Sequence, residues 1–396
     1  MPSLAPHIPG VPESGIRRIH EIAITLDGVI MLDVGEPDVA IAPHIAEAAK
    51  AAWDADFTHY TPNGGIAPLR TAIVEKLARE NGLTIDTEQV WVTIGATQAL
   101  HQAMALTLAP GDEVLIPDPG YTTFTMNAHM LEAVAVPYPL RASSGFMPDV
   151  AELEHLVTAK TRVLVINSPS NPLGTIFPRN VLEDLLDFAR RHDLWVISDE
   201  VYEQFTWGAP HVSVATLGSS EDTYARVFSV FSLSKTYAMT GIRIGYLVTP
   251  PGLSAIMRTV QEAAISCVAG PDQFAAVAAL TGEQNHVASA RGHYRENLDA
   301  ATALLDERGL HYLQPGGAFY LWIDMSHVSD GDVALWAERF LLQEKVAVAP
   351  GSAFGRSGEG WIRVCLAAQK ENLLEGLRRL PVPLPLEART VRAASD

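Results

Sequence analysis

The stretch LWVISDE (194–200) decides the fold of this chain, together with its neighbours RVLVINS (162–168) and RVFSVFS (226–232). Each is short, rich in β-branched residues and apolar on both alternations, which is typical of strands buried on both faces of a parallel sheet. Helical stretches such as 97–108 and 179–191 separate most of the runs, so the sequence predicts an α/β fold with a mostly parallel sheet flanked by helices. Four further runs have the same character: VWVTIG (90–95), EVLIPD (113–118), AVAVPY (133–138) and IRIGYLV (242–248).

The pattern changes after about residue 285. A long helical region (285–308) is followed by LHYLQPGGAFYLWIDM, a helix near 331–343, the apolar runs VAVAP and EGWIRVCLA, and a last helix from residue 370. Mixed short strands and helices of this kind predict a smaller α+β domain. The N-terminal segment lies too far along the chain from the first strand of the large sheet to be assigned to either part from this pattern alone.

Composition excludes several classes of protein. The 396 residues carry 28 Lys and Arg against 46 Asp and Glu, a net charge of −18, which disfavours binding to nucleic acid. No apolar stretch reaches the roughly 18 residues of a membrane span, and the N-terminus has no apolar segment typical of a signal peptide. Cys267 and Cys365 do not make a disulfide framework, so we expect a cytoplasmic protein with reduced thiols.

Common catalytic motifs are absent from the sequence. It contains no G-x-x-x-x-G-K-[ST], G-x-G-x-x-G, H-E-x-x-H or G-x-S-x-G, and its 13 histidines show no metal-ligand spacing, so no metal site is predicted. Ligands of α/β sheets bind outside the carboxyl ends of the strands, where the unusual residues of this chain lie. One of them is Lys235 in SLSKTYAMTGIRIG (232–245). Taken alone it could be a surface lysine, but Ser232, Ser234 and Arg243 around one amine suit a bound phosphate.

The stretch from Ser232 to Gly245 resembles the lysine signature of class I pyridoxal-phosphate aminotransferases, the aspartate-aminotransferase-like enzymes of fold type I. The resemblance covers nearly the whole chain in the same order, and its motifs are most similar to those of broad-specificity and aromatic members. Its further blocks are LDVGEPD (32–38), THYTPNGGIAPLR (58–70), TIGATQAL (93–100), PDPGY (117–121), NSPSNPLGT (167–175), SDEVYEQF (198–205), GGAFYLW (316–322), APGSAFG (349–355) and WIRVCLA (361–367).

The resemblance implies catalytic roles for three residues. Lys235 would form a Schiff base with pyridoxal 5'-phosphate (PLP) and move the proton at the substrate α-carbon. Asp199 would pair with the pyridine nitrogen, although an Asp at a strand end is often a helix cap. Tyr202, with Asn171, would hydrogen-bond the phenolic oxygen of the cofactor.

The resemblance also implies how cofactor and substrate are held. Tyr121 would stack on the pyridine ring, and Tyr60 would reach the phosphate of the neighbouring subunit, which predicts a homodimer with shared active sites. Arg363, with the Gly35 backbone and Asn171, would bind the α-carboxylate of an amino-acid or 2-oxo-acid substrate. The phosphate would be held at a helix start by Gly95, Ala96 and Thr97 and by the side chains of Ser232, Ser234 and Arg243.

The substrate pocket favours neutral, bulky amino acids. Thr97 stands where some aspartate-specific relatives carry lysine, and the Ile265–Gly270 loop has no positive charge to pair with a second carboxylate. Arg17 or Arg18 could still supply a cation to an acceptor such as 2-oxoglutarate, although both are expected to be solvent-exposed. An aspartate aminotransferase therefore stays an alternative. A C–S β-lyase or a cyclopropane-forming synthase of the same fold stays another.

A non-enzymatic PLP-sensing regulator is disfavoured, because no room for a DNA-binding module precedes GEPD (35–38) and the charge has the wrong sign. The predicted organisation has four parts. They are an N-terminal segment that closes over the site and packs with the small domain (1–40), a large PLP-binding domain (41–284), a small C-terminal domain (285–380) and a loose tail (381–396).

Overall fold

The seven apolar runs form one seven-stranded sheet. The protein is described by a computed structural model that covers residues 2–217 and 225–383. The strand bounds, numbered in chain order, are β1 Ile30–Met31, β2 Val90–Ile94, β3 Glu113–Asp118, β4 Val134–Pro139, β5 Thr161–Asn167, β6 Trp195–Asp199, β7 Val227–Ser232, β8 Ile244–Val248, β9 Tyr312–Leu313, β10 Tyr320–Asp324, β11 Val346–Ala347, β12 Ala349–Pro350 and β13 Trp361–Cys365.

The large sheet has the strand order β2-β8-β7-β6-β5-β3-β4. β8 is antiparallel to both of its neighbours, and the other strands run in one direction, so the predicted mostly parallel sheet is confirmed. Because these strands share a direction, their carboxyl ends meet at one edge. That edge carries Asn167 from β5, Asp199 from β6 and Ser232 from β7.

Helices flank this sheet and build the second unit. The predicted stretches 97–108, 179–191 and 285–308 correspond to observed helices whose ends differ by two residues or fewer. The helix bounds are α1 Gly15–Ala23, α2 Pro43–Asp54, α3 Ala67–Lys76, α4 Gly95–Thr107, α5 Thr123–Met130, α6 Val150–Leu156, α7 Arg179–Arg191, α8 Leu233–Thr236, α9 Ser254–Ala264, α10 Gly270–Thr281, α11 Asn285–Glu307, α12 Ser326–Ser329, α13 Val333–Glu344 and α14 Lys370–Arg379.

The central strands are buried on both faces, as their composition predicts. Along β5, Val163 and Val165 belong to one apolar cluster, whereas Leu164 and Ile166 belong to the cluster on the opposite face. All four side chains are fully buried. Full burial of one such side chain contributes about 1.5–3 kcal/mol, so the strand is stabilised from both sides.

The expectation of two-sided burial is wrong for AVAVPY. The strand β4 lies at the edge of the sheet beside β3, and its Val134 side chain is 49% exposed. An edge strand has a neighbouring strand on one side only, and its apolar composition does not reveal that position. Only Tyr138 of this strand is buried.

A second sheet forms the smaller α+β unit. Its order is β12-β13-β10-β9, with every pair antiparallel. The N-terminal segment joins this unit in two ways. β1 pairs in parallel with β11, and Ile19 and Leu32 share an apolar cluster with side chains of the C-terminal part.

The boundaries 1–40, 41–284 and 285–380 stay predictions, and residues 384–396 of the predicted tail lie outside the described residues. Within the described ranges, no helix is both long and apolar enough to span a bilayer.

Candidate active site

The carboxyl edge of the large sheet opens into a cavity of about 900 Å³, which residues of the second unit and of α1 also line. The cavity brings together most of the predicted site residues. Those that line it are Gly35, Ala96, Thr97, Tyr121, Asn171, Asp199, Tyr202, Ser232, Ser234, Lys235, Arg243 and Arg363.

Two predicted residues do not line the cavity. Gly95 lies just behind it, where an added Cβ would clash with the guanidinium of Arg243. Tyr60 lies outside the cavity of its own chain with 92% of the residue exposed. Ten of the twelve predicted cofactor residues therefore line one cavity, Gly95 lies directly behind it, and Tyr60 lies elsewhere on the surface.

Lys235 lies one turn beyond β7 because Ser232 caps the short helix α8, with its Oγ accepting a hydrogen bond from Ser234 N at 3.1 Å. The Lys235 Nζ points into the cavity and donates to the carbonyl oxygen of Gly35 at 2.6 Å. Burial lowers the pKa of Lys235 to about 8, and the nearby Arg363 guanidinium acts in the same direction. A lysine in this state is partly neutral near pH 7, so it can act as a nucleophile and as a base.

Asp199 ends β6 at the floor of the cavity and is 4% exposed. Its Oδ1 accepts one hydrogen bond, from Val201 N at 3.2 Å, and no cation pairs with it among the described residues. Burial raises the pKa of Asp199 to about 7, and the charge of Glu200 adds to the shift while the Val201 hydrogen bond opposes it. A buried carboxylate without a cation fits a ligand that brings a positive charge.

Arg363 is a buried cation from β13 in the opposite wall. It donates to Asn171 Oδ1 at 2.8 Å and to the carbonyl oxygen of Asp33. Its Nε has no hydrogen-bond partner among the described residues, and no carboxylate pairs with it there. A guanidinium that faces only neutral oxygens is suited to a carboxylate ligand.

Tyr320 is a cavity residue to which the sequence assigned no role. Its hydroxyl lies 2.5 Å from that of Tyr202, and the Arg363 guanidinium lies 4.3 Å from the centre of its ring. Burial raises the pKa of both tyrosines, so both phenols stay protonated. Its place in GGAFYLW was the only sequence signal, because the contact depends on how the two sheets meet.

The start of α4 has the features of an anion-binding site. Gly95, the first residue of this 13-residue helix, has a φ of +70°, a conformation that glycine adopts without strain. Arg243 lies against it and donates from Nη1 to Thr240 O at 2.6 Å. Free amides at a helix start, a guanidinium and the hydroxyls of Ser232 and Ser234 suit a phosphate, so the cavity fits PLP at its amine, ring and phosphate ends.

The two arginines of α1 also line this cavity, and both are exposed as expected. Arg18 donates from Nη2 to Glu338 Oε2 of α13 at 2.9 Å. The guanidinium of Arg17 has no hydrogen-bond or ion-pair partner among the residues that the structure describes. Arg17 and Arg18 are therefore both solvent-exposed and part of the cavity wall.

The chain is similar to known proteins over almost its whole length. It is 36% identical to the aromatic-amino-acid aminotransferase 2 of Thermococcus litoralis over 96% of this chain and 97% of the relative. It is 38% identical to the aspartate aminotransferase of Pyrococcus abyssi over 93% of this chain and 95% of the relative.

A solved structure of Thermus thermophilus aspartate aminotransferase with maleate superposes with a TM-score of 0.90. It covers 96% of this chain and 99% of that one at 34% identity. The sequence model of the family described as aminotransferase class I and II matches residues 27–380. The chain therefore belongs to the class I and II aminotransferases.

Proposed function

We propose that this chain transfers the amino group of a neutral, bulky L-amino acid, aromatic or large aliphatic, to a 2-oxo acid such as 2-oxoglutarate or pyruvate. Members of its family use PLP, which supplies an aldehyde that captures the amine and a ring that accepts electrons from the α-carbon. The observation that carries the proposal is the buried Lys235 amine, which shares one cavity with the Asp199 carboxylate and the Arg363 guanidinium.

Lys235 is proposed to hold the aldehyde carbon of PLP and then to move the proton at the substrate α-carbon. Its lowered pKa of about 8 suits both tasks, because the amine can give and take a proton close to neutral pH. Arg363, with the backbone of Gly35, would bind the α-carboxylate and so aim the Cα–H bond at Nζ. The hydrogen bond from Nζ to Gly35 O already brings these groups together.

Four other side chains are proposed to hold the cofactor ring. Asp199 would supply the anion that keeps the pyridine nitrogen protonated, and Tyr121 would pack on the ring face. Asn171 and the phenol of Tyr202 would hydrogen-bond the phenolic oxygen, with Asn171 also facing the substrate beside Arg363. The phosphate would be bound by Gly95, Ala96, Thr97, Ser232, Ser234 and Arg243.

A homodimer with shared sites is part of the proposal. Three aromatic side chains within eight residues, Trp53, Phe57 and Tyr60, are 63%, 49% and 92% exposed. Exposed aromatic groups of this density are typical of protein–protein interfaces. The Ile265–Gly270 loop lies beside them, since Thr61 Oγ1 donates to Val268 O at 3.3 Å. This surface would place Tyr60 at the phosphate of the partner subunit.

The preference for neutral donors rests on the charges of the cavity. Lys235, Arg243 and Arg363 are already assigned, and Thr97 adds no charge. An apolar pocket gains about 1.5–3 kcal/mol from one large buried side chain and offers little to a second carboxylate. Against this preference, 2-oxoglutarate must itself be accommodated as acceptor, and the exposed Arg17 or Arg18 at the same cavity would meet its distal carboxylate. Similar proteins are named for aromatic amino acids, aspartate, and arginine with pyruvate, so their names leave the donor open.

Both cysteines are free, Cys267 half-buried and Cys365 buried, and free thiols suit a protein of the reducing cytoplasm.

The reaction is tested by a half-reaction screen, in which the visible absorbance of lysine-bound PLP is followed with each amino acid in turn. We expect this absorbance to disappear fastest with phenylalanine, tyrosine, leucine and methionine. A rate at least about a hundredfold greater with aspartate and glutamate, or ~2.7 kcal/mol in barrier, would favour the aspartate aminotransferase alternative.

A further inference from the structure

Glu200 is a fully buried carboxylate that directly follows Asp199 in the chain. Its Oε1 accepts from Ser198 Oγ at 2.8 Å and from Val214 N at 3.3 Å. Its Oε2 is hydrogen-bonded to Ser213 Oγ and lies 2.7 Å from His211 Nε2. A buried carboxylate needs hydrogen bonds and a counter-charge to stay ionised, and His211 is positioned to supply the charge.

The His211 side chain is 8% exposed and lies beside that carboxylate. Burial alone would lower the pKa of His211, but the hydrogen bond to Glu200 and the charge of Glu200 outweigh it, so the pKa is raised. The other charged groups that act on the ring are Glu203 and Lys76, and these two form an ion pair with each other. Nδ1 of the ring has no hydrogen-bond partner among the described residues. Because Glu203 and Lys76 pair with each other, the charge of His211 pairs with that of Glu200.

The pair matters because the charge of Glu200 acts on Asp199, whose ionisation it opposes. We propose that His211 is a positioning residue, whose positive charge offsets that of Glu200 so that Asp199 stays ionised toward the cofactor ring. The inference rests on the proposed function, in which Asp199 meets the pyridine nitrogen. No role for Glu200 or His211 followed from the sequence, since their contact requires residues 211–214 to fold back onto the end of β6.

The test compares two histidine variants of the full chain. His211→Gln keeps an N–H donor but removes the charge. His192→Gln makes the same substitution at a surface contact, in which His192 Nε2 lies 2.7 Å from Glu154 Oε2. We expect His211→Gln to weaken PLP binding about tenfold. The absorbance of bound PLP changes with pH, and we expect the midpoint of that change to lie about one pH unit higher in this variant. His192→Gln should change neither. Wild-type PLP affinity and pH response in His211→Gln would overturn the proposal.

A double variant separates charge from structure. In Glu200→Gln/His211→Gln neither charge remains, so Asp199 is no longer opposed and PLP affinity should recover most of the loss. Affinity as weak as in His211→Gln alone would mean that the imidazole only supports the fold, which overturns the proposal.

If His211→Gln does not fold, nitrogen NMR of the wild-type chain gives the answer. A cationic His211 ring at neutral pH supports the proposal, and a neutral ring overturns it. Failure of the cofactor assignment on which the inference rests has a different signature, because the wild type itself would then bind no PLP at Lys235. A different reaction on the same cofactor would change the products but not the effect of His211→Gln on PLP binding.

Discussion

The protonation of Lys235 sets the rate at which the ligand-free chain captures PLP. An ordinary lysine has a pKa of 10.5, whereas burial lowers that of Lys235 to about 8. At pH 7 about one chain in ten then carries a neutral amine, against about one in 3,000 for an ordinary lysine. Acidification from pH 8 to pH 6 should slow covalent capture about fiftyfold, because only the neutral amine attacks the aldehyde.

Rapid mixing with PLP measures this rate through the visible absorbance of the lysine-bound cofactor. Asp199 titrates at about 7 and changes how tightly PLP is held, so the rate is read at PLP concentrations that saturate binding. Borohydride reduction and peptide mapping identify the modified lysine, and Lys235→Ala serves as the control without a band. A rate that keeps rising to pH 10, as for an exposed amine, would mean that burial does not lower the pKa of Lys235.

Three further substitutions test other parts of the site. Asp199→Asn should reduce turnover on the order of a hundredfold, measured by steady-state kinetics. It should also raise the melting temperature of the ligand-free chain at pH 8. The pKa of Asp199 is raised from 3.8 to about 7, so its burial costs stability increasingly from about pH 4 to about pH 7, and the full cost is present at pH 8. An unchanged rate would show that its role is misassigned. Gly95→Ala should cost about 1–3 kcal/mol in denaturant unfolding and weaken PLP binding, whereas Gly292→Ala, with open space around it, should do neither. Tyr60→Ala mixed with Lys235→Ala should regain activity that each lacks, since mixed dimers contain one intact site, and a lack of recovery would argue against sharing.

The sheet and its carboxyl edge were predictable because composition and alternation report burial directly. Asp199 and Ser232 end neighbouring parallel strands, so strand direction alone places them at one edge. The edge position of β4 was not predictable, since strand order is a property of the whole sheet.

Contacts between the two sheets could not be derived from residue spacing. Arg363 reaches Asn171, and Tyr320 reaches Tyr202, only because the smaller unit lies over the carboxyl edge. The resemblance to a known family predicted Arg363 as a substrate-binding residue. It gave no role to Tyr320, although the GGAFYLW block that contains Tyr320 is part of the same resemblance. The buried pair of Glu200 and His211 was missed for the same reason, because nothing local to either residue marks it as buried.

The central claim, transamination, is tested most directly by product stoichiometry. The PLP-loaded chain is incubated with phenylalanine and 2-oxoglutarate, and phenylpyruvate, glutamate and ammonia are quantified. We expect phenylpyruvate and glutamate in equal amounts, no ammonia, and no sustained turnover without the 2-oxo acid. A parallel incubation with cysteine, which carries a leaving group on its β-carbon, is run without any 2-oxo acid. Release of pyruvate, ammonia and sulfide from cysteine there, with no phenylpyruvate formed from phenylalanine, would indicate a lyase of this fold and would contradict transamination.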